Sequence, residues 1–110
     1  MVFIIAGALT PSPPDDPFAI SLDAFKRDMN INTTSMFVAA QQAVLGFAEL
    51  PSHAAKSFFF TGNILNVAPL PSFMDAGAGK SASAHIMMAA AAAYKDRGYK
   101  YVVCQLIQTV

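Results

Sequence analysis

The sequence predicts an α/β protein, a parallel sheet of about three strands covered by helices, and three observations carry that prediction. Short β-branched and aromatic runs alternate with stretches whose apolar residues recur at helical spacing. Their order is strand, helix, helix, strand, helix, strand, which joins parallel strands through crossover helices. The chain is 55% hydrophobic and 13% charged over 110 residues, enough apolar material for one domain, 1–110, with a buried core.

VFIIAG opens the chain as a strand over Val2–Ala6, buried on both faces and ended by Gly7. TPSPPDDPFAI follows, and Pro11, Pro13, Pro14 and Pro17 make it a loop. Ser21 can cap a helix on which Leu22, Phe25 and Met29 share one face. Asn30, Asn32, Thr33 and Thr34 then offer the backbone side-chain partners, which predicts a kink or break. The helical pattern resumes from Ser35 to about Glu49, with Met36, Phe37, Ala40, Val44 and Phe47 inward, and Pro51 ends it. KSFFFTGN supplies a second buried strand over Ser57–Thr61. Beyond APLPS, a long alanine-rich helix runs from Ser72 or Asp75 to Arg97, closed by the basic residues and glycine of KDRG. A third strand occupies Lys100–Leu106.

Composition excludes several functions. The formal net charge is +0 and the basic residues are scattered, the opposite of a nucleic-acid surface. Cys104 is the single cysteine, so no internal disulfide forms. His53 and His85 lack partners at metal-ligand spacing, and His85 reads as a partly buried packing residue. MVFIIAGAL has no basic start, and SASAHIMMAAAAAY is too short to span a bilayer. The expectation is a soluble, cytoplasmic protein with no membrane partner. Its low charge predicts apolar surface on the Ser35–Glu49 and Lys80–Tyr94 helices that another chain covers, as in a homo-oligomer.

GAGKSASA, Gly77–Ala84, has the look of a phosphate-binding loop but fails on spacing. In G-x-x-x-x-G-K-[ST] the first glycine falls at position 74, which is Met74. The preceding strand also ends near Thr61, too early for a tight strand–loop–helix turn.

Five segments in order resemble the short-chain dehydrogenase/reductase family. IIAGA (Ile4–Ala8) is similar to its Asn-Asn-Ala-Gly strand exit, and INTTSMF (Ile31–Phe37) to its V-N-x-x-G-x-F helix segment. FFFTGN resembles the strand that carries the family's serine, DAGAGKSASAHIM the helix bearing Tyr-x-x-x-Lys, and DRGYKYVV the run into the next strand. The resemblance covers nearly the whole chain but only the middle-to-late part of a family member. It implies a partial Rossmann-like, doubly wound sheet, an NAD or NADP cofactor, and oxidoreduction of a small carbonyl or alcohol. In that chemistry a tyrosine moves the proton, a lysine one helical turn on lowers its pKa and holds the nicotinamide ribose, a serine orients the substrate oxygen, and an asparagine positions a relay water.

Carried across residue by residue, the resemblance implies Lys80 as the lysine, Asn32 as the asparagine, and Thr61 or Asn63 near the serine position. Ala6 and Gly7 keep the strand exit beside the cofactor, while Ile4 and Ile5 replace the two asparagines. The departure that matters most is Ala76, which stands where the tyrosine belongs and has no proton to give. Asp75 lies near the wrong helix face, and Tyr94 is about 21 Å along the helix from Lys80. The family's glycine-rich pyrophosphate turn has no counterpart in these residues. The expectation is a truncated chain that binds cofactor poorly on its own and turns over weakly or not at all. The alternative is a non-catalytic remnant that associates with a related dehydrogenase subunit.

Overall fold

The computed structural model describes residues 1–62 and 70–105. Its sheet has the order β1 (Val2–Ile4), β2 (Ser57–Gly62), β3 (Lys100–Gln105), and both pairings are parallel. The register sets Phe3 beside Phe59 and Phe59 beside Val102, and on the other face Ile4 beside Phe60 and Phe60 beside Val103. Helices α1 (Leu22–Met29), α2 (Ser35–Glu49) and α3 (Met74–Tyr94) connect the strands. The predicted parallel, adjacent strands are present. β1 ends two residues earlier than expected, and Leu106, the expected end of β3, lies outside the described residues.

The core forms on one face of this sheet. Phe58 and Phe60 are 0% exposed, packed with Met36, Ala40, Ala43 and Phe47 from α2 and Met87 from α3. Tyr101 closes the group with its ring 5.4 Å from Phe58, and the Tyr94 ring lies tilted 5.8 Å from both Tyr101 and Tyr99. The opposite face is open: Phe3 is 53% exposed, its ring stacked 4.9 Å from Phe59, and Val102 is exposed beside them. Burial of β1 and β2 on both faces was therefore too much to expect of these residues. Two successive crossovers of one hand, stepping the same way along a sheet, deliver both helices to the same side.

Ser21 caps α1 as expected, its hydroxyl accepting the Ala24 amide at 3.1 Å. The face assignments need correction, because Leu22 and Phe37 are exposed, and so is His85 on α3. The inward stripe instead runs Asp28, Asn32, Met36, Ala40, Ala43 and Phe47, and its first two members are polar. Nor does the chain break after Met29. Residues Asn30–Thr34 form a π turn inside continuous helix, with the Ser35 amide bonded to the Asn30 carbonyl five residues back. Hydroxyls take up carbonyls that the wider turn leaves available: Ser35 Oγ donates to Ile31 O and Ser83 Oγ to Asn32 O.

α3 starts on a short 3₁₀ turn at Pro71–Phe73 and passes into another at Lys95–Arg97 before Gly98, whose φ of 74° needs glycine. Where α3 crosses the π turn the two backbones nearly touch. A Cβ on Gly79 would lie 2.5 Å from Asn32 Cβ, so only glycine allows this approach. Among the described residues no helix is long and apolar enough to cross a membrane.

Candidate functional site

Parallel strands point their carboxyl ends the same way, and polar side chains gather at the carboxyl ends of β1 and β2. α3 places Lys80 there. Its side chain is 7% exposed, with Nζ donating to Ala6 O at 3.0 Å and Thr61 O at 3.5 Å, 4.8 Å from the Phe60 ring centre. Burial lowers the Lys80 pKa from its ordinary value, because the charged amine loses water that two carbonyls and a ring face replace only in part. An ammonium has three donors, so among the described residues one remains for a ligand once both carbonyls are met. Gly7 keeps that side clear: a Cβ there would stand 3.5 Å from Nζ.

Asn32 is buried beneath the same strand exit. Its Oδ1 accepts the Ala8 amide at 3.0 Å and its Nδ2 donates to Ala8 O at 2.8 Å, so the two ends of the side chain hold both backbone polar groups of one residue. α3 in turn grips the Asn32 turn through Thr33 Oγ1 to Gly79 O at 2.9 Å and Ser83 Oγ to Asn32 O at 2.6 Å. Thr61 donates its hydroxyl to Ile4 O at 3.2 Å, tying β2 to the end of β1. Ala6 and Gly7 follow β1 in exposed backbone. Lys80, Asn32, Ala6, Gly7 and Thr61 are thus brought together, while Asn63 lies outside the described residues. Ala76 is buried one turn before Lys80 on α3 and contributes only a methyl group.

One feature escaped sequence reasoning: Asp28 and Asp75, each 1% exposed, form a hydrogen-bonded carboxyl pair. Thr10 lies over it, its amide donating to Asp75 Oδ2 at 3.1 Å and its hydroxyl to Asp28 Oδ2 at 2.6 Å. Arg27 adds Nε to Asp28 Oδ1 at 3.1 Å and Nη2 to Thr10 Oγ1 at 2.9 Å. The bond from Asp75 holds the Asp28 pKa below the usual carboxylate value, helped by Thr10 and Arg27 against the opposing cost of burial. Burial, then the bond to Asp28, raises that of Asp75. A signal was present, since Asp28 stands one helical turn before Asn32 on the stripe that leads to Met36.

No family-wide sequence profile matches the chain. A curated relative, the "Short chain dehydrogenase/reductase dmxR12" of Cryptosporiopsis sp. (strain 8999), is 50% identical over 97 residues, 88% of this chain. The chain spans 39% of that relative's length. Among solved structures, "ElxO with NADP Bound" superposes with a TM-score of 0.82 at 17% identity, covering 96% of this chain and 42% of that one. "4-hydroxyisoleucine dehydrogenase complexed with NADH and succinate" gives 0.80 at 16%, covering 92% and 45%. A short chain dehydrogenase from Mycobacterium smegmatis gives 0.80 at 17%, covering 94% and 41%. These likenesses establish a shared fold, a partial doubly wound α/β sheet of the Rossmann kind. With half of 97 residues identical to a named member and the fold in agreement, the chain belongs to the short-chain dehydrogenase/reductase family.

Proposed function

We propose that these residues form part of an NAD(P)-dependent oxidoreductase site acting on a small carbonyl or alcohol, and that the 110-residue chain by itself is inactive or weakly active. The observation that carries this reading is Lys80 at the carboxyl ends of β1 and β2, with two of its three donors met by Ala6 O and Thr61 O and, among the described residues, the third left open on the Gly7 side. A nicotinamide ribose fits that opening, since its hydroxyls can take the remaining Lys80 donor beside the exposed Ala6–Gly7 backbone. When bound, such a cofactor supplies or accepts the hydride.

The chain's own residues do the rest. Lys80 holds the ribose and places a positive charge at the reacting end of the site. Asn32 fixes the backbone of Ala8, and through it the strand exit that would face a bound nicotinamide. Thr61, at the end of β2, is the residue we assign to orienting a substrate oxygen, a role that by sequence position alone falls equally to Asn63. The proton step is where the site is deficient. Ala76 carries no acid, and general acid–base catalysis by a positioned group contributes on the order of 10²–10⁴-fold.

Backbone and lysine side-chain NMR of the chain titrated with NADH and NADPH tests the assignment. Shifts confined to Ala6, Gly7 and Lys80, saturating only at high cofactor concentration, are expected. Shifts centred elsewhere, or none at saturating cofactor, would overturn it.

A second reading, association with another chain, is favoured by the open sheet face of Phe3, Phe59 and Val102 and by exposed Leu45 and Met88 on the helices. On that reading the chain acts as a subunit, with itself or with a related dehydrogenase, rather than as a catalyst. Sedimentation equilibrium decides it: a mass above that of one chain supports association, and a monomer at high concentration removes it.

A further inference from the structure

The segment from Ala6 to Ser12 is held at every second residue. Lys80 Nζ takes Ala6 O, and Asn32 takes both polar groups of Ala8. Asp75 and Asp28 take the amide and hydroxyl of Thr10. Ser12 donates its amide to Ser72 O at 3.0 Å and its hydroxyl to Pro71 O at 3.0 Å. An extended chain turns alternate residues to one side, so these contacts line one edge of the segment. Their partners on α3 and its leading turn run backwards, Lys80, Asp75, Ser72, as the segment runs forwards. Position along this track is therefore shared: a slip at Thr10 is a slip at Ala6.

We propose that Asp28 and Asp75 are positioning residues for the Lys80 site, a carboxyl pair that clamps Thr10 and so sets where the Ala6 carbonyl meets the lysine. The proposal rests on the reading of Lys80 given above. Two buried carboxyls can hydrogen-bond each other only with a proton between them. The surrounding donors assign it. Asp28 accepts from the Thr10 hydroxyl and from Arg27, as a carboxylate does, so the O–H belongs to Asp75 and points at Asp28. Asp75 still accepts the Thr10 amide and the Ala76 amide, the latter at 2.6 Å.

Arg27 is the charged group that faces the pair from α1, and its side chain is 62% exposed. The 6–12 segment contributes the uncharged Thr10, and α3 contributes Asp75 itself with the Ala76 amide. One solvent-screened guanidinium does not neutralise two buried carboxylates. Loss of the shared proton as pH rises therefore sets two anions against each other beneath Thr10. The clamp opens, and Ala6 loosens from Lys80.

The test is amide exchange and lysine titration by NMR on the full 110-residue chain across pH, without cofactor. The Thr10 amide, corrected for intrinsic exchange, should lose protection about tenfold per pH unit wherever the folded pair holds a proton that the opened form releases. The Lys80 Cε resonance should show an inflection over the same range. In Asp75→Asn, a permanent donor to Asp28 and acceptor for Thr10, Thr10 protection should stay flat with pH and the Lys80 inflection should vanish. In Asp75→Ala, Thr10 protection should be lost and the lysine should titrate closer to its ordinary value.

Thr10 protection that ignores pH in the parent chain would overturn the shared proton. Lys80 titration unchanged in Asp75→Ala, despite lost Thr10 protection, would overturn the positioning role. If Asp75→Ala fails to fold, the parent's Lys80 inflection and its loss in Asp75→Asn decide the matter. None of these readouts involves a cofactor, so a failed cofactor titration leaves them standing.

Discussion

Two glycines in helices, Gly46 in α2 and Gly79 in α3, should respond to alanine with opposite signs. Alanine in a helix interior is favoured over glycine by about 1 kcal/mol, because glycine forfeits more backbone freedom on folding. At Gly46 a new Cβ meets nothing within 4 Å, so Gly46→Ala should deliver that gain unopposed. At Gly79 the same Cβ would lie 2.5 Å from Asn32 Cβ and 3.3 Å from Asn32 Cγ. Neither atom is the free end of a flexible chain, since Asn32 is locked to Ala8 at both ends. Overpacking of this kind costs about 1–3 kcal/mol.

A spread helix crossing also lengthens the Thr33–Gly79 and Ser83–Asn32 hydrogen bonds, and a buried polar group left unmet costs about 1–3 kcal/mol. The penalties exceed the propensity gain, giving Gly79→Ala a net loss of about 1–5 kcal/mol. Urea unfolding followed by circular dichroism, with parent, Gly46→Ala and Gly79→Ala compared at constant m, measures both. Equal stabilisation by the two substitutions would refute the close crossing, and with it the support given to Asn32.

Tyr101 is held up to about 12 by burial, with Tyr94 and Tyr99 adding to it. Between pH 10 and that value the unfolded chain has released a proton that the folded chain keeps, so stability falls as pH rises, and Tyr101→Phe should remove that fall in urea titrations. Lys80 carries the opposite sign: its folded pKa is depressed, so stability rises with pH from that value toward 10.5, and Lys80→Met should flatten the rise below pH 10. Ala76→Tyr must find room at a buried methyl position and should lower the unfolding free energy measured in urea by about 1–3 kcal/mol. If Ala76→Tyr is neutral in stability, the space around Ala76 is larger than its burial indicates.

Much of the fold was legible because the local patterns agreed with it. FFF between polar residues, the serine cap before Leu22 and the KDRG ending each named their element correctly. Helix faces were less legible where polar residues point inward. Asn32 drew notice only as a kink residue and by family resemblance, and Asp28 drew none, yet both are buried because the 6–12 segment supplies partners from a distant part of the chain. The same distance hid Asp75, whose contact with Thr10 spans 65 positions. The NINTT interruption was visible, but its outcome was not: instead of a break it makes a π turn, stabilised by the Ser35 and Ser83 hydroxyls, which donate to the Ile31 and Asn32 carbonyls. Lys80 was found by family resemblance, and the carbonyls that hold it come from the segment after β1 and from β2, which no local pattern connects.

The central claim is that this chain keeps the lysine end of a reductase site without the acid that completes it. Oxidation of NADH and NADPH by the 110-residue chain, followed by the loss of reduced-nicotinamide absorbance against a broad panel of aldehydes and ketones, tests it most directly. The account predicts turnover at or near the uncatalysed background, lowered by at least about 10²-fold from an intact site through Ala76 alone. Robust turnover that disappears in Lys80→Met would contradict it, showing that another group in this chain delivers the proton.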